Sequence, residues 1–342
     1  MRLVTLGTSC AQQTTSRTQS AHLLALDAHT SYLVDCGSNT GFSLLKTDYK
    51  LSSIRKIFLT HLHADHCIGL PALLADLLGG HGGRAEDVAA GKLREGTGKR
   101  PLEIYGPLGT QEFLRTNFRL TYTALASPFR VIELLFDEEQ AFEGPSFPRE
   151  EGSCIKRPDT DSSPAPIWSS ISSDHRITVD AVAIQHTVPT LGFIFREADF
   201  VEITQQTSST LMAAFGNANA ERRAALSALK AGQAVSLPTG STVGPLPKER
   251  GRTVVLLGDT HDASGCLPHL ERSVVSLVLH ESTNAYLPPP YGKPSDTLVS
   301  VRERAASRGH STPEVAGAFA SACQAKMLVL THFSSRYGGK GQ

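Results

Sequence analysis

The chain has 342 residues, 40% hydrophobic and 19% charged, so it can bury a sizeable core and is not a disordered chain. Its 33 basic residues balance 33 acidic ones. That excludes the global positive field of non-specific nucleic-acid binders, and any contact with a polyanion has to be local.

A strand-like run opens the chain at Arg2 to Gly7, so no leader or transit sequence is expected, and no apolar stretch of about eighteen residues occurs in the sequence. A cytoplasmic or nuclear protein without a membrane span is expected. Six cysteines without a Cys-x-x-Cys pair point to free thiols rather than a disulfide framework. Further β-rich runs follow at 22–26, 31–34, 54–60, 102–105, 177–184, 192–195, 253–257, 274–279 and 326–331. Several are near-continuous apolar runs, as strands covered on both faces would be. Helical patterns fall at 72–78, 109–118 and 312–325. The mixture predicts an α/β fold with central sheets and outer helices. Length alone suggests about two domains, but the chemistry-bearing residues run from near the start to near the end without a linker, so a single domain over 1–342 is expected. Three segments break the rhythm and read as surface insertions. One, near 79–99, is rich in Gly and charge; 143–173 is crowded with Pro, Ser and acids; 205–232 is an Ala-rich helical arm carrying Arg222, Arg223 and Lys230.

The sharpest motif is His61-Leu62-His63-Ala64-Asp65-His66, between the apolar run Ile57-Phe58-Leu59 and the helix-like stretch from Pro71. Residues two apart in an extended segment face one side, so His61 and His63 can converge on one cation. Asp65 and His66, where the chain turns into the helix, can reach a second. Two zinc ions then need about three more ligands, each at a strand end. His186 follows the run 179–184, Asp259 follows 254–258 and His332 follows 326–331. One carboxylate can bridge two cations through its two oxygens. The expected assignment is His61, His63, His186 and Asp259 around one zinc, and Asp65, His66, His332 and Asp259 around the other. Two such ions activate a shared water and clamp the oxygens of a phosphodiester; a site of imidazoles and carboxylates also accepts manganese.

These residues, in this order, resemble the metallo-β-lactamase superfamily, and further motifs are similar to those of ribonuclease Z. They are Leu6-Gly7-Thr8-Ser9 with Thr15, Arg17 and Ser20, then Tyr105-Gly106-Pro107, His280-Glu281-Ser282-Thr283, Gly309-His310-Ser311-Thr312, and Thr331-His332-Phe333-Ser334-Ser335-Arg336-Tyr337. The resemblance implies an αβ/βα four-layer sandwich of two mixed β-sheets flanked by helices. It also implies removal of the 3′ trailer from precursor tRNA by attack of a metal-bridging hydroxide, leaving a tRNA 3′-hydroxyl. Precursor tRNA is then the partner and a homodimer the expected assembly. The family's arm for gripping tRNA is Gly/Pro-rich, and the Ala-rich segment here departs from that pattern.

Within this reading Asp65 doubles as metal ligand and base. His310 stabilises the phosphorane or protonates the departing 3′ oxygen. Glu281 either orients a histidine or is a plain buried carboxylate. Ser311, Thr312, Ser334, Ser335 and Arg336 are the expected substrate contacts. Ser311-Thr312-Pro313-Glu314 reads as a capping box with Ser311 as N-cap, which would offer free N–H groups to a phosphate beside His310. Two rivals remain at this point. A small-substrate phosphodiesterase or other ester hydrolase of the superfamily shares every ligand, whereas a non-catalytic scaffold would be expected to lose some of them.

Overall fold

The computed structural model describes residues 1–79, 101–136, 139–140, 144–152, 154–159, 165–174, 176–271 and 273–337. Seven strands form the first sheet in sequence order: β1 (Arg2–Gly7), β2 (Ala21–Ala25), β3 (Ser31–Val34), β4 (Ile54–Phe58), β5 (Leu102–Pro107), β6 (Phe129–Leu134) and β7 (Cys154–Lys156). The first three pair antiparallel, and β3 through β7 pair parallel. Every residue of β2 and β3 is buried, in keeping with their near-continuous apolar runs. Between the strands lie helices α1 (Thr40–Leu45), α2 (Ala64–Cys67), α3 (Leu70–Leu78) and α4 (Thr110–Leu120). Leu44, Leu73, Leu114 and Phe118 from these helices share one core with Leu23, Leu33 and Ile57 of the sheet. Helix α4 starts from Gly109, whose φ of 95° only glycine adopts freely. The carboxylate of Glu133 on β6 accepts the N–H groups of Gly109 and Gln111 at 3.0 and 2.9 Å, serving donors that a helix start leaves unpaired.

The chain continues with β8 (Ile167–Ser173), β9 (Ile177–Ile184), β10 (Thr190–Glu197), the short β11 (Phe200–Val201), β12 (Val235–Ser236), β13 (Thr242–Val243) and β14 (Lys248–Glu249), then β15 (Thr253–Leu257), β16 (Val275–Glu281) and β17 (Leu328–Thr331). The second sheet has the order β17-β16-β15-β10-β9-β8. Phe58 of β4 stacks on Tyr105 of β5 at 4.8 Å between centroids and meets Phe193 of β10 edge-on at 5.2 Å. An aromatic cluster thus joins the sheets.

Two compact units emerge, one of Met1–Ile171, Val179–Ile194 and Val254–Gln342, the other of Ser172–Thr178 and Phe195–Thr253. The second unit contains the expected helical segment, as α5 (Gln205–Phe215) and α6 (Asn219–Lys230). It has a small core of its own from Leu211, Ala225, Leu229 and Leu237. Within it Glu197 accepts from Arg252 at 2.6 and 3.0 Å and pairs with Arg176, and both guanidinium groups lie over the ring of Phe200.

Two of the three expected insertions need comment. Of 143–173, the stretches Cys154–Lys156 and Ile167–Ser173 are strands at the sheet edges, and Trp168 is fully buried. The polar composition concealed them because an edge strand exposes one side. The segment near 79–99 lies outside the described residues except for Gly79, which ends α3 at a φ of 73°. Among the described residues no helix is long and apolar enough to cross a membrane.

Candidate metal centre

Five of the seven residues expected to face a cation lie past the C-terminal end of a strand, and the other two lie on the helix that follows β4. His61 and His63 follow β4, and α2 then carries Asp65 and His66. His186 follows β9, Asp259 follows β15 and His332 follows β17. His332 holds a φ of 57°, uncommon for a residue other than glycine.

Their donor atoms form two groups. In the first, His63 Nδ1 is 3.1 Å from His61 Nε2 and 3.4 Å from His186 Nε2, and Asp259 Oδ2 is 3.8 and 3.9 Å from those two Nε2 atoms. In the second, His332 Nε2 is 3.3 Å from both His66 Nε2 and Asp65 Oδ2, and Asp65 Oδ2 is 3.8 Å from His66 Nε2. Asp259 completes this group too, with Oδ1 3.4 Å from His66 and Oδ2 3.2 Å from His332. Four donors about 2.0–2.1 Å from a tetrahedral zinc ion stand about 3.3–3.4 Å apart, and both groups have roughly that spacing. Nitrogen lone pairs this close repel one another unless a proton or a metal cation lies between them.

The outward nitrogens tell the same story. His66 Nδ1 is 2.7 Å from Asp35 Oδ2, His61 Nδ1 3.0 Å from Thr60 Oγ1, His186 Nδ1 2.7 Å from the Gly309 carbonyl, and His332 Nδ1 2.8 Å from Thr283 Oγ1. Such partners fix a ring's orientation and leave the opposite nitrogen with its lone pair directed inward. Charge agrees. Burial alone opposes a charged His66, yet Asp259 and Asp35 push its pKa up to about 10. His332, likewise disfavoured by burial, is driven well above the ordinary range by Asp259 and Asp65. That negative potential, where the Nε2 atoms converge, suits a cation. His61, His63 and His186 are held below the ordinary range, chiefly by burial, which keeps them neutral as ligands must be.

Beside this cluster lies the pair His310 and Glu281. Glu281 ends β16 and is fully buried; its Oε1 is 2.9 Å from His310 Nδ1 and accepts the Thr260 N–H at 2.9 Å. Asp259, Glu281, His310 and His332 themselves form a third group of convergent donors. Glu281 thus contacts a histidine and is at the same time a buried, hydrogen-bonded carboxylate, the two features that the alternatives open from sequence named.

The expected capping box is absent. After α7 (Leu298–Ala306), α8 spans Pro313–Ala322 with Thr312 as N-cap and no side-chain cap bond. Proline, lacking an N–H and with φ already suited to a helix, sets the first helical position. That moves the cap to Thr312 and frees Ser311, whose buried hydroxyl donates to the Thr260 carbonyl at 2.6 Å. Thr312 is buried as well, whereas Ser335 and Arg336 are exposed and Ser334 is half-buried. Arg336 Nε donates to Ser334 Oγ at 3.2 Å.

Sequence reading missed four contributors. Asp35, just past β3, receives both His66 and Thr60; the signal was available, because it follows a strand just as Asp259 does. Thr60 and Thr283 also stand just past strands, β4 and β16, and Thr283 closes the motif begun by His280, but a threonine in such a place does not by itself mark a role. Ala11, whose N–H reaches Asp65 Oδ2 at 2.6 Å, acts through its backbone and leaves no trace in residue type.

A family model described as Anti-Pycsar protein Apyc1 matches residues 1–79, the span that ends beyond His66. The chain is 33% identical over 356 residues to zinc phosphodiesterase ELAC protein 1 of Mus musculus, covering 98% of this chain and 87% of that one. It is 30% identical over 357 residues to ribonuclease Z of Lactiplantibacillus plantarum, covering 99% and 89%. Among solved structures, human tRNase Z, short form (ELAC1), superposes with a TM-score of 0.64 at 26% identity, covering 99% of this chain and 94% of that one. With two facing mixed sheets, a His/Asp cluster at their strand ends and similarity along its full length, the chain has the metallo-β-lactamase fold and belongs to the ribonuclease Z family of zinc phosphodiesterases.

Proposed function

We propose that this protein is a zinc-dependent endoribonuclease that cleaves the 3′ trailer from precursor tRNA. The pair of donor groups sharing Asp259, with spacings suited to two neighbouring cations, supports the hydrolytic chemistry, and the observation that carries the tRNA substrate is the full-length similarity to ribonuclease Z and tRNase Z. In this reading His61, His63, His186 and Asp259 hold one ion, and Asp65, His66, His332 and Asp259 the other. When bound, the two ions lower the pKa of a shared water and neutralise charge on the phosphodiester oxygens.

The chain's own groups do the rest. With Nδ1 held by Glu281, His310 presents Nε2 to the substrate, where it serves the departing 3′ oxygen as proton donor. Asp65, anchored by the Ala11 N–H, orients the attacking water. Ser334, Ser335 and Arg336 supply local contacts to the RNA backbone, as a chain of zero net charge requires. Ser311 and Thr312, next to His310 in the chain, complete the set of proposed substrate contacts. The products are a tRNA with a 3′-hydroxyl and a trailer with a 5′-phosphate. The proposal includes a homodimer in the cytoplasm or nucleus, and a single domain on which 205–232 is an insertion.

Cleavage of a precursor tRNA bearing a 3′ trailer tests it, with the cut mapped to the nucleotide for wild type and for His310→Ala at equal zinc content. A cut just after the discriminator nucleotide that collapses in the variant is the expected result. Zinc-loaded wild type that leaves the RNA intact yet hydrolyses a chromogenic phosphodiester would replace this reading with a small-substrate phosphodiesterase.

A further inference from the structure

Thr283 and Thr60 stand at equivalent places in two separate hydrogen-bond chains. Each hydroxyl lies between a buried carboxylate and the Nδ1 of a histidine whose Nε2 belongs to the donor cluster. Thr60 Oγ1 is 2.9 and 3.0 Å from the two oxygens of Asp35 and 3.0 Å from His61 Nδ1. Thr283 Oγ1 is 2.6 Å from Glu281 Oε2 and 2.8 Å from His332 Nδ1. Asp35 and Glu281 each serve a second histidine directly, His66 at 2.7 Å and His310 at 2.9 Å. Each carboxylate thus supports two imidazoles, one face to face and one through a threonine.

Proton counting fixes the direction of the Thr283 chain. A hydroxyl has one proton to give, and an ionised carboxylate only accepts. At 2.6 Å, a charge-assisted separation, that proton goes to Glu281. Thr283 then accepts from His332, so Nδ1 carries the hydrogen and Nε2 keeps its lone pair toward Asp65, His66 and Asp259. Glu281 has no slack with which to replace the hydroxyl. Oε1 takes the Thr260 N–H and His310, and Oε2 takes the Thr283 N–H at 3.1 Å as well as its hydroxyl.

We propose that Thr283 is a positioning residue that sets the tautomer and orientation of His332 and, through the one Glu281 carboxylate, ties that metal-facing histidine to His310. The proposal rests on the two-cation reading above. Its chemical content is specific: an acceptor oxygen is required at position 283, and bulk alone does not suffice.

Thr283→Val keeps the shape and removes the oxygen; Thr283→Ser keeps the oxygen. Zinc affinity, measured on the holoprotein by competition with a chromogenic chelator, should weaken roughly 10- to 100-fold for one ion in Thr283→Val and return to within a few-fold of wild type in Thr283→Ser. The thermal midpoint of metal-stripped protein is read alongside, because a merely structural role would lower it while leaving zinc affinity alone. Wild-type affinity in Thr283→Val, or no recovery in Thr283→Ser, overturns the proposal while leaving the two-cation reading intact. Wild type that takes up no zinc overturns both. Should Thr283→Val not fold, histidine proton–nitrogen correlation spectra of zinc-loaded wild type decide the matter: His332 protonated at Nδ1 supports the proposal, and protonation at Nε2 overturns it.

Discussion

His310 Nδ1 lies 2.9 Å from Glu281 Oε1, and this contact decides which nitrogen of His310 can meet a substrate. Of the two residues only His310 is partly exposed, with 17% of its side chain accessible against 0% for Glu281. In the proposed mechanism the histidine is therefore the group placed to touch the reacting atoms, with the carboxylate acting through it. His310→Ala should lower kcat by roughly 10²- to 10⁴-fold, the usual loss of a proton donor, with zinc content unchanged. Glu281→Gln keeps an acceptor oxygen for the ring and should lose less. Single-turnover cleavage of precursor tRNA separates the two, and a larger loss in Glu281→Gln than in His310→Ala would refute the order of roles.

Asp35 receives the Thr60 N–H, the Thr60 hydroxyl and His66 Nδ1 within 3.0 Å while fully buried. Asp35→Ala would strand those donors, each at a cost of roughly 1–3 kcal/mol. A loss of at least about 3 kcal/mol in unfolding free energy is expected. Asp35→Asn should retain more stability yet bind zinc roughly 10- to 100-fold more weakly, because an amide oxygen cannot hold His66 as an ionised carboxylate does. Urea unfolding of the metal-free variants, with chelator competition on the loaded ones, measures both quantities.

The difference between Asp35 and His61 explains how much was legible beforehand. His61, His63, Asp65 and His66 announce themselves because four candidate donors crowd into six residues after an apolar run. His186, Asp259 and His332 could be found by looking for the same residue types at other strand ends. The groups that contact these candidate donors come from tertiary structure: Asp35 meets His66 across 31 positions and Thr283 meets His332 across 49. Threonine at a strand end is too common to signal such a role. Most strands were legible from their continuous apolar runs, whereas Ile167–Ser173 was lost in polar composition. The capping box failed for a local reason, since Pro313 competes for the first helical position and the Thr260 carbonyl takes the Ser311 hydroxyl.

Burial pushes the thiols of Cys36, Cys67 and Cys266 up to about 12. The thiolate is the reactive form, and a raised pKa leaves these groups protonated throughout the neutral range. At pH 8 the folded protein should label at none of the three with an aromatic disulfide reagent on a timescale that labels half-buried Cys10. Unfolding in guanidinium should expose all of them at once. Mass mapping of the labelled peptides checks this, and fast native labelling of Cys36 would contradict its place in the core.

Gly309 shows how a backbone position can govern a metal-facing ring. Its carbonyl accepts from His186 Nδ1 at 2.7 Å, and its φ of 75° lies in the left-handed region. A Cβ added there would stand 2.5 Å from His186 Nδ1 and 2.9 Å from Thr187 Cγ2. Gly309→Ala thus meets two penalties, about 1–2 kcal/mol of left-handed backbone strain and a steric push on the imidazole it should support. The ring can relieve the contact only by moving off its carbonyl acceptor, which turns Nε2 away from His63 and Asp259. Zinc affinity should fall roughly 10- to 100-fold, with cleavage falling in step at limiting zinc and partly recovering in excess zinc. Gly317, inside α8 with open space where a Cβ would go, is the control. Gly317→Ala should leave zinc affinity unchanged and stabilise the fold by about 0.5–1 kcal/mol through helix propensity. Equal zinc affinity in the two variants would mean that the Gly309 carbonyl does not position His186.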